Sequence, residues 1–272
     1  MKVITWNLHG ANKESLVWQL LLEWEPDIVL LQEVGSMPDK IKESFDVLTK
    51  IAIYKTGRPQ RFSTAVLVKG KIIKEINLKS NYEWVNVELN FFKGNFIACT
   101  AELQNHEKFN VVSVYSPAWP VDKNRIKGID VSEVKLTKNP EVWATEIIWS
   151  ALKNTISKNE QWIIGGDYNS SETFDRDYQL EHGIRGGLVG AGNKEIRDRM
   201  YALGFKECLL EYSGKLIPTF KNTNKKIMHQ LDHLYVSDKI FSRIEKCTVG
   251  EQSLIFDKLL SDHLPIIADF KE

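Results

Sequence analysis

Cysteine is scarce in this 272-residue sequence: Cys99, Cys208 and Cys247 are the only three. They are widely spaced, form no CxxC pair and have no histidines at zinc-ligand spacing, which argues against a disulfide framework or a structural zinc site. Net charge is also lacking, since 36 Lys+Arg balance 36 Asp+Glu. A protein that coats nucleic acid by neutralising phosphates carries a basic surplus, so that class is excluded. Long apolar runs are missing too. The longest uncharged stretch, Phe109 to Val121, is interrupted by Pro117 and Pro120, and Thr5 to Asn7 turns polar too early for a signal peptide. There is no internal repeat, low-complexity tract or Pro/Ser-rich linker. These absences predict a reduced, cytoplasmic, soluble protein without membrane contact, organised as one domain over residues 1–272 and monomeric by default.

With 43% hydrophobic residues the chain can build a large core. Val3 to Leu8 and the nearly all-apolar Asp27 to Glu33 read as buried strands, and Glu14 to Trp24 between them reads as an amphipathic helix stopped by Pro26. Strand, helix, strand in so short a span predicts parallel neighbours, with Asn7 and Glu33 emerging at the same sheet edge. Ser63 to Val68, Lys71 to Leu78, Trp84 to Leu89, Asn95 to Leu103 and Asn110 to Tyr115 read as short strands of an antiparallel meander or of hairpins. Glu141 to Ile156 has helical spacing, Gln161 to Gly166 is a strand, and Lys194 to Leu203 is a helix ended by Gly204. Gln230 to Ser237 and Leu264 to Phe270 read as the last strands.

Polar residues that are costly to bury recur where apolar strands end: Asn7, Glu33, Tyr115, Asp167 with Asn169, Asp232, and Asp262 with His263. Ligands gather beyond strand ends in sheet-based folds, so these side chains are expected to converge. Carboxylate and amide oxygens such as those of Glu33, Asn7 and Asp262 suit a hard divalent cation like Mg²⁺. A histidine held by a carboxylate, with an Asp beside an Asn, can orient water and stabilise a charged phosphoryl transition state.

The motifs TWNLHG (5–10), DIVLLQE (27–33), VSVYSP (112–117), GGDYN (165–169), QLDH (230–233) and SDHLP (261–265) stand in this order. Together they resemble the ordered motifs of the endonuclease/exonuclease/phosphatase family over nearly the whole chain. The resemblance implies a four-layer α/β sandwich, two mixed β-sheets packed face to face with helices on the outside, and metal-dependent cleavage of phosphoester bonds. It implies that Glu33 is the principal metal ligand, assisted by Asn7 and Asp262, with Mg²⁺ as cofactor and Mn²⁺ able to substitute. Asp167 would orient or deprotonate the attacking water, and Asn169 and Tyr115 would hold the phosphate. His263 would contact the phosphate as acid/base, oriented by Asp232. The resemblance leaves open which group is the base and how many metals act.

The chain departs from the abasic-endonuclease pattern at His9, where an acidic residue is more usual; His9 is expected to contact phosphate or shape the rim. Tyr115 stands where several other branches carry histidine, which tilts the expectation toward the exonuclease and abasic-endonuclease branch. The expected activity is therefore hydrolysis of nucleic acid, DNA foremost, bound transiently. A phosphatase or phosphodiesterase acting on a small phosphorylated metabolite, nucleotide or lipid headgroup is the alternative. Lys50, Lys55, Arg58, Arg61 and the stretch from Lys221 to Lys226 are expected in rim loops, and Trp119 and Phe220 are candidate stacking residues. His106, His182 and His229 are expected to be solvated and His233 packed. The glycine-rich 183–192 reads as a surface loop from which Arg185 could reach a substrate.

Overall fold

The computed structural model describes residues 1–157, 159–184 and 190–271. Two six-stranded mixed sheets form its centre. The chain opens with β1 (Lys2–Ala11), α1 (Val17–Trp24), β2 (Ile28–Val34), α2 (Asp39–Ser44), β3 (Asp46–Ile53) and β4 (Pro59–Val68). It continues through β5 (Gly70–Glu75), α3 (Glu83–Phe91), β6 (Phe96–Leu103), β7 (Lys108–Tyr115), α4 (Ala144–Thr155) and β8 (Trp162–Asp167). Next come α5 (Arg176–Glu181), α6 (Asn193–Ala202), β9 (Phe205–Glu207), α7 (Cys208–Ser213), and a small hairpin of β10 (Phe220–Lys221) and β11 (Ile227–His229). The last elements are β12 (Asp232–Ser237), α8 (Asp238–Phe241), β13 (Ile244–Val249), α9 (Gln252–Ile255) and β14 (Ile266–Phe270).

The first sheet runs β13-β14-β1-β2-β4-β3 and the second β5-β6-β7-β8-β12-β9. Side chains alternate between the faces of a strand, and here both faces are buried. Val3, Ile28 and Leu30 of the first sheet meet Cys99, Val111, Ile163 and Leu234 of the second in the core between the sheets. Their sequence neighbours point the other way: Ile4, Val29 and Leu31 pack with Trp18 and Leu21 of α1. Val112, Val114 and Ile164 pack with Trp84 of α3 and Ile148 and Leu152 of α4. Three hydrophobic layers therefore separate helix, sheet, sheet and helix, the expected α/β sandwich. All three cysteines are buried free thiols within the inter-sheet layer.

The segment Trp84 to Leu89 is a helix and not the expected strand. Val85, Val87 and Leu89 mimic a period of two, but Val87 is 51% exposed. The buried set is Trp84, Val85 and Glu88, a helical stripe. Arg125 forms a two-pronged ion pair with Glu88 (2.8 and 2.7 Å), so the helix anchors the long loop after β7.

Topology brings the polar strand ends together. β1 and β2 are parallel, as are β7 and β8, so Asn7, Glu33, Tyr115 and Asp167 end at one edge of the sandwich. β12 and β14 run antiparallel to β8 and β1, so their starts lie at that same edge: Asp232 pairs in register with Asp167, and Ile266 with Thr5. Gly165 lets the sheets close beneath this edge, since a Cβ there would lie 3.0 Å from Leu30 Cδ1 and 3.1 Å from Thr5 Cβ. Gln32 also donates across the gap to Ser113 Oγ at 3.0 Å.

Candidate active site

Three short turns of one design aim the polar side chains. Asn7 Oδ1 accepts from the His9 backbone N–H (2.9 Å), Asp167 Oδ1 from that of Asn169 (2.8 Å), and Ser261 Oγ from that of His263 (3.0 Å). In each a short polar side chain bonds the backbone two residues on, which bends the chain out of regular pairing and fixes the polar atom in place. His9, Glu33 and Asn169 adopt left-handed backbone with φ of 49, 51 and 46°. Such conformations are costly for residues other than glycine and cluster where function fixes a side chain. Ser261 Oγ also donates to the Asn7 carbonyl at 2.7 Å and Trp6 Nε1 to the His263 carbonyl at 2.9 Å, tying the last loop to the first strand.

At the centre, His263 Nδ1 lies 2.7 Å from Asp232 Oδ2, and its Nε2 lies 3.9 Å from Asp167 Oδ2 and 4.0 Å from Asp262 Oδ1. Asn7 Nδ2 donates to Asp167 Oδ2 at 3.0 Å and to Glu33 Oε1 at 3.3 Å. Asn169 Nδ2 reaches Asp167 Oδ2 at 3.1 Å and the Ser116 carbonyl at 2.8 Å. His9 Nδ1 sits 3.1 Å from Asp262 Oδ1 at the exposed rim. All nine residues singled out in the sequence thus converge, with Asn7, Tyr115, Asp167, Asp232 and His263 buried and Glu33, Asn169 and Asp262 half-buried.

The electrostatics follow from this crowding. Burial works against a charge on His263, but the Asp232, Asp167 and Asp262 carboxylates outweigh it and hold the imidazole up at about 10, in its protonated form. Burial raises Asp167 foremost; the His263 cation opposes this, while Asp232 and Glu33 add to it. Burial, followed by the Glu33 and Asp167 charges, pushes the Tyr115 hydroxyl up, so it stays a neutral donor. Desolvation of Asp262 is outweighed by the hydrogen bond from His9 and the charges of His263 and His9, which keep its carboxyl low.

The donor set fits a divalent cation. Glu33, Asp167, Asp232 and Asp262 gather around a single buried imidazole, and Asp232 Oδ1 is buried without a hydrogen bond. The carboxylates of Asp167 and Asp232 have oxygens within 4.8 Å of one another beside that imidazole. Hard oxygen donors in excess of nearby cations are what such an ion neutralises.

The flanks are less uniform. The 222–226 hairpin abuts the site, because Phe220 bridges to His263 and Lys221 N–H donates to the Asp262 carbonyl at 2.8 Å. The β3–β4 hairpin lies on the other side through Phe62, whose ring meets Tyr115 edge-on at 5.2 Å. Lys55, Arg58, Arg61, Lys225 and Lys226 are exposed on these hairpins, whereas Lys50 is engaged by Glu75. Phe220 packs 4.8 Å from the His263 ring, and Trp119 stacks on Tyr54 at 6.5 Å. His229 is not solvated as expected: it is 8% exposed and its Nδ1 lies 2.7 Å from Thr173 Oγ1. His106 and His182 are exposed, and His233 is packed between Glu207 and the Ser170 carbonyl. Arg185 lies outside the described residues.

A fold of this kind closing over such a site defines a phosphoric ester hydrolase of the sandwich class. The chain belongs to the Endonuclease/Exonuclease/phosphatase family, whose model matches residues 4–263. Among solved structures, it is similar to an AP endonuclease from Archaeoglobus fulgidus at 16% identity and TM-score 0.69, with 100% of each chain covered. It is similar to the 3'-5' exonuclease NExo from Neisseria meningitidis at 17% identity and TM-score 0.68, again with 100% of each covered. A 3' phosphatase NExo from Neisseria, bound to a product DNA hairpin, matches at 17% identity and TM-score 0.65 with the same full coverage. No curated protein sequence matches the chain.

Proposed function

We propose that this chain, acting as one catalytic unit, is a nuclease that hydrolyses phosphodiester bonds of nucleic acid, DNA foremost, by direct attack of water on phosphorus. The observation that carries it is the buried His263 imidazole held between Asp232 and Asp167, 3.9 Å from Asp167, with Asn169 and Asn7 on the same carboxylate. Asp167 positions the attacking water and takes its proton. Asn169, Tyr115 and the His263 imidazolium hold the phosphoryl oxygens as charge develops, and Asp232 keeps His263 oriented and charged. His9 contacts phosphate at the rim. Glu33, Asn7 and Asp262 would hold Mg²⁺ or Mn²⁺, which when bound supplies charge neutralisation at the phosphoryl oxygens and leaving group. The exposed basic side chains of the two flanking hairpins support backbone contact with a polynucleotide. The similar structures that process DNA support the choice of substrate.

A second reading, hydrolysis of phosphomonoesters, is favoured by the zero net charge and by the likeness to a 3' phosphatase. One assay separates them: purified protein with Mg²⁺ or Mn²⁺ on single-stranded DNA, duplex DNA, abasic duplex, RNA and a panel of phosphomonoesters. Turnover of oligonucleotides is the expected result, and turnover of monoesters alone would overturn it.

A further inference from the structure

β12 opens with two adjacent residues whose side chains leave the strand on opposite faces, as alternation requires. Asp232 turns to His263 in the hydrolytic centre. His233 turns to the helix-covered face, where its ring packs edge-on against Tyr168 (centroids 5.5 Å apart) and stacks on Tyr235 (5.8 Å). His233 is 9% exposed, and no step of the proposed hydrolysis uses it. Its Nε2 lies 3.0 Å from the Ser170 carbonyl oxygen. A carbonyl only accepts, so Nε2 carries a hydrogen and donates it in either charge state of the ring. Nδ1 lies 3.3 Å from Gln230 Nε2, and that amide is turned toward the ring because Gln230 Oε1 accepts the Ile217 N–H at 2.9 Å. The same amide nitrogen donates to the buried Glu207 Oε1 at 3.2 Å, so ring and amide are fixed together.

Ser170 closes the turn that carries the reacting groups. β8 ends at Asp167, after which the Leu231 carbonyl holds the Tyr168 N–H at 2.9 Å and His233 holds the Ser170 carbonyl. Asn169 stands between these two anchors with its left-handed φ of 46°. That conformation is disfavoured for a residue with a side chain, so bonds on either side must hold it. It also lets the Asn169 N–H reach Asp167 Oδ1 at 2.8 Å while the side-chain amide reaches Oδ2 at 3.1 Å. The Ser170 hydroxyl adds a hold from the other side, donating to Asn193 Oδ1 at 2.7 Å. Without the His233 bond the Ser170 carbonyl is left buried and unpaired, the turn relaxes, and Asp167 loses contacts that aim it.

We propose that His233 is a positioning residue for the hydrolysis: its Nε2–H holds the Ser170 carbonyl, and through it the left-handed turn that aims Asp167 and Asn169 at the phosphate. One dipeptide thus serves the site from both faces of a strand, Asp232 orienting His263 and His233 orienting Asp167. The effect on turnover rests on the function proposed above; the hold on the turn does not. The test compares two variants of the full chain. His233→Phe keeps a ring against Tyr168 and Tyr235 but has no donor, whereas His233→Gln places an amide Nε2 as many bonds from the backbone as the lost imidazole Nε2. On an oligonucleotide that the unaltered protein cleaves, His233→Phe should lower kcat by roughly 10- to 100-fold and leave KM within about twofold. His233→Gln should recover kcat to within about fivefold of the unaltered protein. Amide hydrogen exchange followed by NMR reads the turn without substrate: the Asn169 N–H should exchange about tenfold faster in His233→Phe and return to its original rate in His233→Gln, with Leu30, in the core between the sheets, unchanged in both. A folded His233→Phe protein with unaltered kcat, a His233→Gln protein as impaired as His233→Phe, or equal acceleration at Leu30 would overturn the proposal. Should His233→Phe fail to fold, NMR of the unaltered protein labelled with ¹⁵N-histidine decides: the His233 Nε2–H should appear as a slowly exchanging proton, and its absence would overturn the bond. Exchange at Asn169 that follows the donor, in a protein that turns over no phosphoester, would leave the hold on the turn standing and sink the proposed activity.

Discussion

His263 holds a charge where water barely reaches, and the consequence is a double role. In the proposed mechanism its imidazolium donates to phosphoryl oxygens, and it also neutralises Asp232, which is fully buried. His263→Ala should therefore lower turnover by roughly 10² to 10⁴. It should also destabilise the fold by about 3 kcal/mol, since it leaves a buried carboxylate without its cation. Steady-state kinetics at low temperature and chemical denaturation read the two effects separately, and a fully active His263→Ala protein would refute the assigned role. Glu33 differs because it is half-buried and makes its contact through Asn7. Glu33→Gln should raise the Mg²⁺ concentration for half-maximal activity by on the order of tenfold or more while leaving the melting temperature nearly unchanged. An unchanged Mg²⁺ titration curve would remove Glu33 from the ligand set.

At the scale of elements, the site depends on strands that stop at fixed points. Gly166 in β8 faces the backbone of β7, and a Cβ there would come within 1.8 Å of the Val114 carbonyl oxygen. Because the obstruction is backbone in a parallel pair, Gly166→Ala should destabilise by about 1–3 kcal/mol or more and reduce activity even in the folded fraction, by displacing Asp167. Urea titration together with activity on the refolded protein checks both. Strands were legible where both faces are buried, because DIVLLQE and QWIIGG leave no polar face for a helix to turn to solvent. The Trp84 helix was not legible, because its exposed Val87 imitates alternation and its buried Glu88 looks like a surface residue until Arg125 is placed beside it. The i to i+2 turns explain why the site residues were readable: Asn7/His9, Asp167/Asn169 and Ser261/His263 are local motifs, so their short polar side chains are visible in sequence. The burial of Glu146 was not legible either, since an acid in the first turn of an amphipathic helix reads as solvated and only tertiary packing buries it.

For the molecule as a whole, Glu146 sets a pH signature. A carboxyl raised from 4.5 to about 7 keeps its proton in the folded state after the unfolded chain has released it. The stability it contributes is thus fully present below about pH 4.5 and is lost as pH rises through about 7, with a span on the order of 3 kcal/mol. Glu146→Gln should flatten the denaturation free energy across that window; a parallel decline in both proteins would show that another group is responsible. Charge balance acts at the same scale. With positive and negative residues equal in number and cations exposed on the two hairpins that flank the site, substrate affinity should fall with salt along a shallow slope, equivalent to about two or three phosphate contacts, as KM measured from 50 to 200 mM salt would show.

β1 and β14 are paired side by side, and Trp6 and Asn7 grip the loop that carries Asp262 and His263. Synthesis runs from β1 toward β14, so the first half of the catalytic set must wait for the last. A nascent chain in which β8 has already emerged holds Asn7, Glu33, Tyr115 and Asp167 but neither Asp232 nor His263. On the proposed roles such a chain would be inert until β12, the loop carrying His263 and β14 had emerged and β14 had paired with β1.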